Sequence, residues 1–432
     1  MLRFAPSPTG DMHIDSLRVA IINYLVAQQQ QKSFLIRIDD TDKENTIEGK
    51  DTQIMQILEK FALIHDSVFH QSEHLHMHQT MAIRLLEQDK AFVCTCTQEE
   101  IEAEKSVAIA NNTSYHYSGK CENKDKTEHL KLKQSGKPFV LRIKKPKHNI
   151  IFDDIIKETI PITPDTIDAF IILNVDGTPT SNFASACDDI LSGVSTIIQN
   201  EKSLLDTAKQ IHIQKQLGFD TKVDYAHLPS LFHSKDKDID ETSIKSLFEQ
   251  GFIPDAIINY LIFISNPHAP KKIFTLPEAI KWFKLEDVPH THIKFDMDLL
   301  RLINKKHLEN MDDKEISSLF GFADAEVGKL AKLYLSEAST INELALKIRP
   351  IFAPKVYKGE WGKEIKLMKE IIADAPMIQG YDNFKSYIIQ KSGLDENNIM
   401  TPLRILLTGT QYGPELSDIY PLIKSYITEI AS

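Results

Sequence analysis

The chain has 432 residues, 42% hydrophobic and 26% charged, an ordinary composition for a soluble globular protein with room for two to four domains. Its formal net charge of −11 excludes a global field drawing it to nucleic acid. Any polyanion must be held by local patches, of which RIKKPKH (142–148) and RLINKKH (301–307) are the best candidates, each otherwise a solvated face. No run approaches the apolar length that spans a bilayer, and the start lacks a basic segment followed by an apolar one, so a cytoplasmic protein without membrane contact is expected.

In chain order, LRFA (2–5) predicts a short strand and residues 16–30 a helix with an apolar stripe at Leu17, Ala20, Ile21, Tyr24 and Leu25. FLIRIDDTD (34–42) predicts a second strand, apolar and then abruptly acidic. Strand, helix and strand at this spacing form a βαβ unit and predict a parallel sheet, which binds ligands beyond the carboxyl ends of its strands. The turn PTGDMHIDS and the acidic DDTD end would both lie there. A helix N-terminus attracts phosphate, Thr9 and Gly10 let the backbone approach, and His13 can donate to a phosphate oxygen. The plainer reading is a strand-to-helix turn capped by Asp15 or Ser16.

Residues 71–164 read as an insertion between two halves of the sheet, and the histidines of HDSVFHQSEHLHMH (65–78) as surface residues scattered around a helix. Three of the four cysteines, Cys94, Cys96 and Cys121, cluster in this insertion, which points to a metal, with three reduced thiols the alternative. Strand-like runs at 168–174 and 182–199 predict that the core resumes there, with Cys187 as a packed core residue and His227 as structural. From residue 243 the period is helical almost to the end, so the last hundred or so residues predict an α-rich domain.

Five collinear segments carry a resemblance. RFAPSPTGDMHIDSLR resembles the signature of class I glutamyl-tRNA synthetases, in which Arg-x-Ala-Pro-Ser-Pro-Thr-Gly precedes a His-x-Gly-His type motif. RIDDTD, NFASACDD, SIKSLFEQGFIPDAIINYL and PLRILLTGTQYGPEL (402–416) resemble further family segments in family order, so the likeness covers essentially the whole chain. It implies a Rossmann-like parallel-sheet catalytic domain (1–70 and 165–220), an acceptor-binding insertion (71–164), a connector with the family's KMSKS-like loop (221–310) and an α-helical anticodon-binding domain (311–432). The implied activity is glutamate–tRNA ligation: ATP activates glutamate to glutamyl-adenylate, with Mg²⁺ on the phosphates, and the glutamyl group passes to the 3′ end of tRNA(Glu), or of tRNA(Gln) in a paralogue. A monomer is expected.

The resemblance places Thr9, Gly10, His13, Ser16 and Lys237 around ATP, with His13 and Lys237 catalytic. It places Arg3, Ser7, Asp39, Ser181 and Gln199 around glutamate, with Arg3 facing the γ-carboxylate. It also implies a structural Zn²⁺ on Cys94, Cys96 and Cys121, with Tyr117 as fourth ligand because Asn123 stands where other members have histidine; His116 is a weaker alternative. Several positions depart from the family. Asp15 and Ser16 follow the motif histidine, the loop reads SKDKD (234–238) with Lys235 as fallback for Lys237, Ser181 replaces a tyrosine, and Gln199 replaces an arginine. These departures define an alternative, a catalytically weakened synthetase-like protein that binds tRNA or nucleotide. Lys202, near Gln199, is a candidate compensating cation.

Overall fold

A computed structural model describes residues 1–113, 115–122, 137–232, 242–355 and 359–431. Its twelve strands in the described residues are β1 (Leu2–Phe4), β2 (Phe34–Ile38), β3 (Ser67–His70), β4 (Ala91–Cys94), β5 (Val140–Ile143), β6 (Ile150–Asp154), β7 (Glu158–Ile162), β8 (Ile171–Leu173), β9 (Thr196–Asn200), β10 (Asp224–Leu228), β11 (Leu231–Phe232) and β12 (Ile293–Lys294). The chain separates into two compact units, residues 1–245 with 261–295, and residues 246–260 with 296–432.

The first unit is built on a seven-stranded sheet of order β3-β2-β1-β9-β10-β6-β7. All neighbours run parallel except β7, which closes the edge as an antiparallel hairpin with β6. Parallel strands covered on both faces read as unbroken apolar runs. β2, FLIRI, is buried at all five positions, which makes Arg37 within it a buried charge that demands a partner. The helix α1 (Ile14–Gln30) links β1 to β2 and buries Leu17, Ala20, Ile21, Tyr24 and Leu25, the predicted stripe. Strand order reverses between β1 and β9, and at such a switch point diverging connections open a crevice at the carboxyl ends.

The run 168–174, expected to resume the parallel sheet, does not. Its strand β8 pairs antiparallel with β5, which pairs with β4, in a separate three-stranded sheet. Conversely the β6–β7 hairpin, expected inside the insertion, lies on the edge of the main sheet. A short apolar run does not reveal its partner strand, and here tertiary pairing decides. Residues 182–199, expected as a strand-like run, divide into a helix, α5 (Ser181–Leu191), and the strand β9; α2 (Lys50–Lys60), α3 (Leu75–Glu87) and α4 (Gln98–Ala110) precede it. The helix α6 (Leu204–Leu217) follows β9.

In the second unit every regular element among the described residues is helical. Its helices start on strong caps: Asp296 and Asp395 accept backbone N–H groups, and Thr340 with Glu343 forms a reciprocal capping box. Helices Asp313–Leu319 and Glu326–Leu333 meet at Gly328, where a built Cβ would lie 1.8 Å from the Asp313 carbonyl oxygen. Among the described residues no helix is long and apolar enough to cross a membrane.

Candidate active site

A cleft of about 620 Å³ opens at the carboxyl ends of β1, β2 and β9. Arg3, Ser7, His13, Ser16, Asp39, Ser181 and Gln199 all line it. Thr9 and Gly10 do not; they shape the preceding turn, where Pro8 accepts a hydrogen bond from the Ile47 N–H at 2.9 Å. Lys237, Lys235 and Asn123 lie outside the described residues.

The start of α1 departs from the capping expectation. His13, not Asp15 or Ser16, is the N-cap, its Nδ1 accepting from the Asp15 N–H at 3.3 Å. With Nδ1 accepting, the ring proton sits on Nε2, which donates to Thr242 Oγ1 at 2.6 Å. Asp15 is ion-paired instead: Oδ1 lies 2.9 Å from Arg18 Nη2, and Oδ2 accepts from Asn200 Nδ2 at 2.7 Å. Arg18 is fully buried and also donates to the Pro229 carbonyl. The negative charge at this helix start is thus matched by a buried guanidinium, and the turn is not left with a bare carboxylate facing a phosphate. The Ile244 N–H bonds the Met12 carbonyl at 2.9 Å, so the chain leaves the cleft wall at Leu231 and returns beside His13 at Thr242.

The floor is a largely buried network of five residues that the strands β1 and β2 and the helix α5 bring together. Arg3 grips Asp189 with Nε and Nη2 at 3.1 and 3.2 Å. Arg37 reaches the same Asp189 at 2.7 Å, holds Asp39 through Nε and Nη2 at 2.6 and 3.2 Å, and donates to Ser185 Oγ at 3.0 Å. Burial opposes the charge on Arg37, but Asp39 and Asp189 outweigh it and raise its pKa above the ordinary arginine value. Burial pushes the Asp39 carboxyl up, and Arg37 and Arg3 offset only part of that. Two cations and two anions balance, so the floor is rigid and close to neutral. Arg37, Asp189 and Ser185 were not singled out from the sequence, although a lone arginine inside an otherwise apolar strand is the signal that could have found them.

The wall is made by β9 and α6. Gln199 donates through Nε2 to Thr207 Oγ1 at 2.6 Å and lies 3.2 Å from His227 Nε2. His227 is fully buried, with Nδ1 2.6 Å from Asp154 Oδ2. Burial works against an ionised Asp154, but His227 and the Lys157 and Ile156 N–H groups outweigh it and lower its pKa. Beside Gln199, Lys202 lines the cleft, and among the described residues its ammonium has no hydrogen-bond or ion-pair partner. Glu201 is held the other way, by Lys157 Nζ at 2.6 Å and the Ser230 N–H at 2.7 Å.

In the insertion, Cys94, Cys96 and Cys121 bring their sulfurs within 4.8 Å of one another. Cys96 and Cys121 are 3.7 Å apart, and Tyr117 Oη lies 3.4 Å from Cys94 Sγ and 3.6 Å from Cys96 Sγ. Tetrahedral zinc at about 2.3 Å from sulfur separates its thiolates by about 3.8 Å, so the four groups fit that ion with little movement. Burial pushes the Cys96 thiol up to about 12 and the Tyr117 hydroxyl further above its ordinary value, the situation a cation relieves. His116 is exposed and stands outside this cluster.

The histidines of 65–78 depart most from expectation. His78 is fully buried, and His74 and His78 converge on Asp188 of α5, a partner that nothing in the sequence around them signals.

A doubly wound sheet with a cleft at its switch point and a histidine-capped helix start beside it is the place where open α/β sheets bind their ligands. Residues 1–302 match the catalytic domain of the tRNA synthetases of class I (E and Q). Over the whole of both chains the protein is 55% identical to a protein of Sulfurovum sp. (strain NBC37-1) named glutamate–tRNA ligase 2, and 46% identical to glutamate–tRNA ligase 1 of a Nitratiruptor species. A crystal structure of a glutamate tRNA ligase from Elizabethkingia meningosepticum shares the fold, with a TM-score of 0.81 at 23% identity, covering 100% of this chain and 98% of that one. The chain belongs to the class I glutamyl- and glutaminyl-tRNA synthetase family.

Proposed function

We propose that this protein is a glutamate–tRNA ligase, which activates glutamate with ATP and transfers the glutamyl group to the 3′ end of tRNA(Glu), or of tRNA(Gln) if it serves as a paralogue. The observation that carries the reading is the 55% identity over full length to a protein of that name. The alternative of a weakened binding protein gains no support from these relatives.

Activation is an in-line attack of the glutamate α-carboxylate oxygen on the ATP α-phosphorus, with pyrophosphate leaving. No covalent enzyme intermediate is needed, so the chain contributes positioning and charge. His13 Nε2–H and the N-terminus of α1 receive phosphate oxygens, with Ser16 beside them and the turn at Thr9 and Gly10 setting the approach. Lys237 contributes positive charge to the departing pyrophosphate. Mg²⁺ supplies further neutralisation of phosphate charge when bound. Arg3 and Arg37, fixed by Asp189 and Asp39, offer guanidinium N–H donors to the glutamate side chain, with Ser7 and Ser181 at the edge of that floor. Gln199 has its amide N–H on Thr207, so Lys202 takes the role of the cation for the substrate carboxylate. Cys94, Cys96, Cys121 and Tyr117 would hold a structural zinc that pins the acceptor-binding insertion, which begins near residue 71 and ends before the β6–β7 hairpin of the main sheet; 221–310 connect, and 311–432 read the anticodon. The protein acts as a cytoplasmic monomer.

The test is charging of total tRNA with labelled glutamate in the presence of ATP and Mg²⁺, with His13→Ala beside the wild type. Charging by the wild type that falls at least about a hundredfold in the variant is expected. No charging by a folded, tRNA-binding wild type would overturn the proposal.

A further inference from the structure

Behind the cleft floor, α3 and α5 pack so that two imidazoles meet one carboxylate. His74, immediately before α3, and His78, one turn later, share a face at the i, i+4 spacing that lets two side chains reach one point. His74 Nδ1 and His78 Nε2 each lie 2.8 Å from the same oxygen, Oδ1 of Asp188. The three atoms fall within 4.8 Å of one another. Asp188 and His78 are completely buried, whereas the His74 side chain is 31% exposed and gives a path from solvent.

The carboxylate is set up from behind. Its second oxygen accepts from Gln71 Nε2 at 2.9 Å, and Gln71 in turn accepts from Thr41 Oγ1 at 3.0 Å. A carboxylate held through one oxygen by an amide, with two imidazoles converging on the other, is the donor set of borderline divalent transition metals. Ligands of a tetrahedral ion at about 2.0 Å stand about 3.3 Å apart. The 2.8 Å separations therefore need to open by only about half an ångström.

We propose that His74, His78 and Asp188 form a site for an exchangeable divalent transition-metal ion of the zinc–cobalt class, separate from the cysteine cluster. Each ring moves its proton to its other nitrogen when the metal takes its place. Nδ1 of His78, which would receive one, is buried with no hydrogen-bond partner among the described residues. That missing support makes this an exchangeable site rather than a permanently filled one. Asp188 adjoins Asp189, the anchor of Arg3 and Arg37, so the ion would sit directly behind the cleft floor.

The experiment is an optical titration of the full-length protein with Co²⁺, using wild type, Cys96→Ser and His74→Gln. Bound cobalt at this site absorbs in the visible without thiolate-to-metal charge transfer, which marks the cysteine cluster. That component is expected in the wild type and in Cys96→Ser, and it should need at least about tenfold more Co²⁺ in His74→Gln. His74→Gln keeps an N–H for Asp188, so its metal-free melting temperature should match the wild type. Identical titrations of wild type and His74→Gln, or no thiolate-free component in the wild type, would overturn the proposal. If His74→Gln unfolds, ring-nitrogen NMR of wild type with Zn²⁺ decides: shifts at His74 and His78 support the site, and unmoved rings refute it.

Discussion

Asp15 occupies the position where a phosphate-binding helix ordinarily shows no side-chain charge, and its neighbours determine what that charge does. Arg18, three residues on, is fully buried and returns a cation to the same helix turn, while Asn200 fixes the other oxygen. At Gln199 the compensation takes another form. Gln199 presents a neutral amide where the family resemblance implies a guanidinium, and the nearby Lys202 lines the same cleft. Losing a charged hydrogen bond costs about 1.5–3 kcal/mol. Lys202→Ala should therefore raise the glutamate KM roughly tenfold to a hundredfold with a smaller change in kcat. An unchanged KM would remove Lys202 from the pocket. Glu201 next to it makes a claim about pH. Burial opposes its charge, yet Lys157 and the Ser230 N–H hold it at about 2, below its ordinary 4.5. A lowered folded-state pKa gives stability that is complete above about 4.5 and is lost as pH falls toward about 2. Glu201→Gln should flatten the loss of urea resistance across that window. Parallel pH profiles for the variant and wild type would show that the ion pair contributes nothing.

At the scale of elements, packing tolerances are set by how closely backbones approach. Helices Asp313–Leu319 and Glu326–Leu333 touch at Gly328, whose N–H also bonds Ser317 Oγ at 2.6 Å. A methyl there would meet backbone, not a flexible side chain, and the pair would have to separate. Gly328→Ala should cost about 3 kcal/mol, the upper end of the overpacking range, although alanine is the better helix former. A melting temperature equal to the wild type's would show that the helices slide apart freely. Within α5 the same sensitivity serves the site. Two adjacent carboxylates on one helix point to different partners, Asp189 to the two arginines of the cleft and Asp188 to the two histidines behind it. A shift of this helix would therefore disturb both sets together.

For the whole molecule, much is legible in the order of residues. The βαβ start, the phosphate-facing turn at His13, the α1 stripe, the cysteine cluster and the helical C-terminal region follow from local signals of periodicity, turn chemistry and residues close in sequence, whereas Arg3, Asp39 and Gln199 around one cleft and Tyr117 beside the cysteines are implied only by the family resemblance. The net charge of −11 likewise says that tRNA is met by local patches rather than by the overall field. What the sequence could not decide was pairing at a distance. Nothing in DAFIILN says that its strand joins β5 rather than the parallel sheet, because a short apolar strand fits either edge. Nothing near His74 or His78 announces Asp188, more than a hundred residues away, and nothing near Arg37 announces Asp189. Local periodicity is written into the order of residues, whereas a buried charge finds its counter-charge only when helices and strands far apart in the chain close on one another and exclude water. That exclusion makes the partners obligatory, and only the tertiary structure determines which they are.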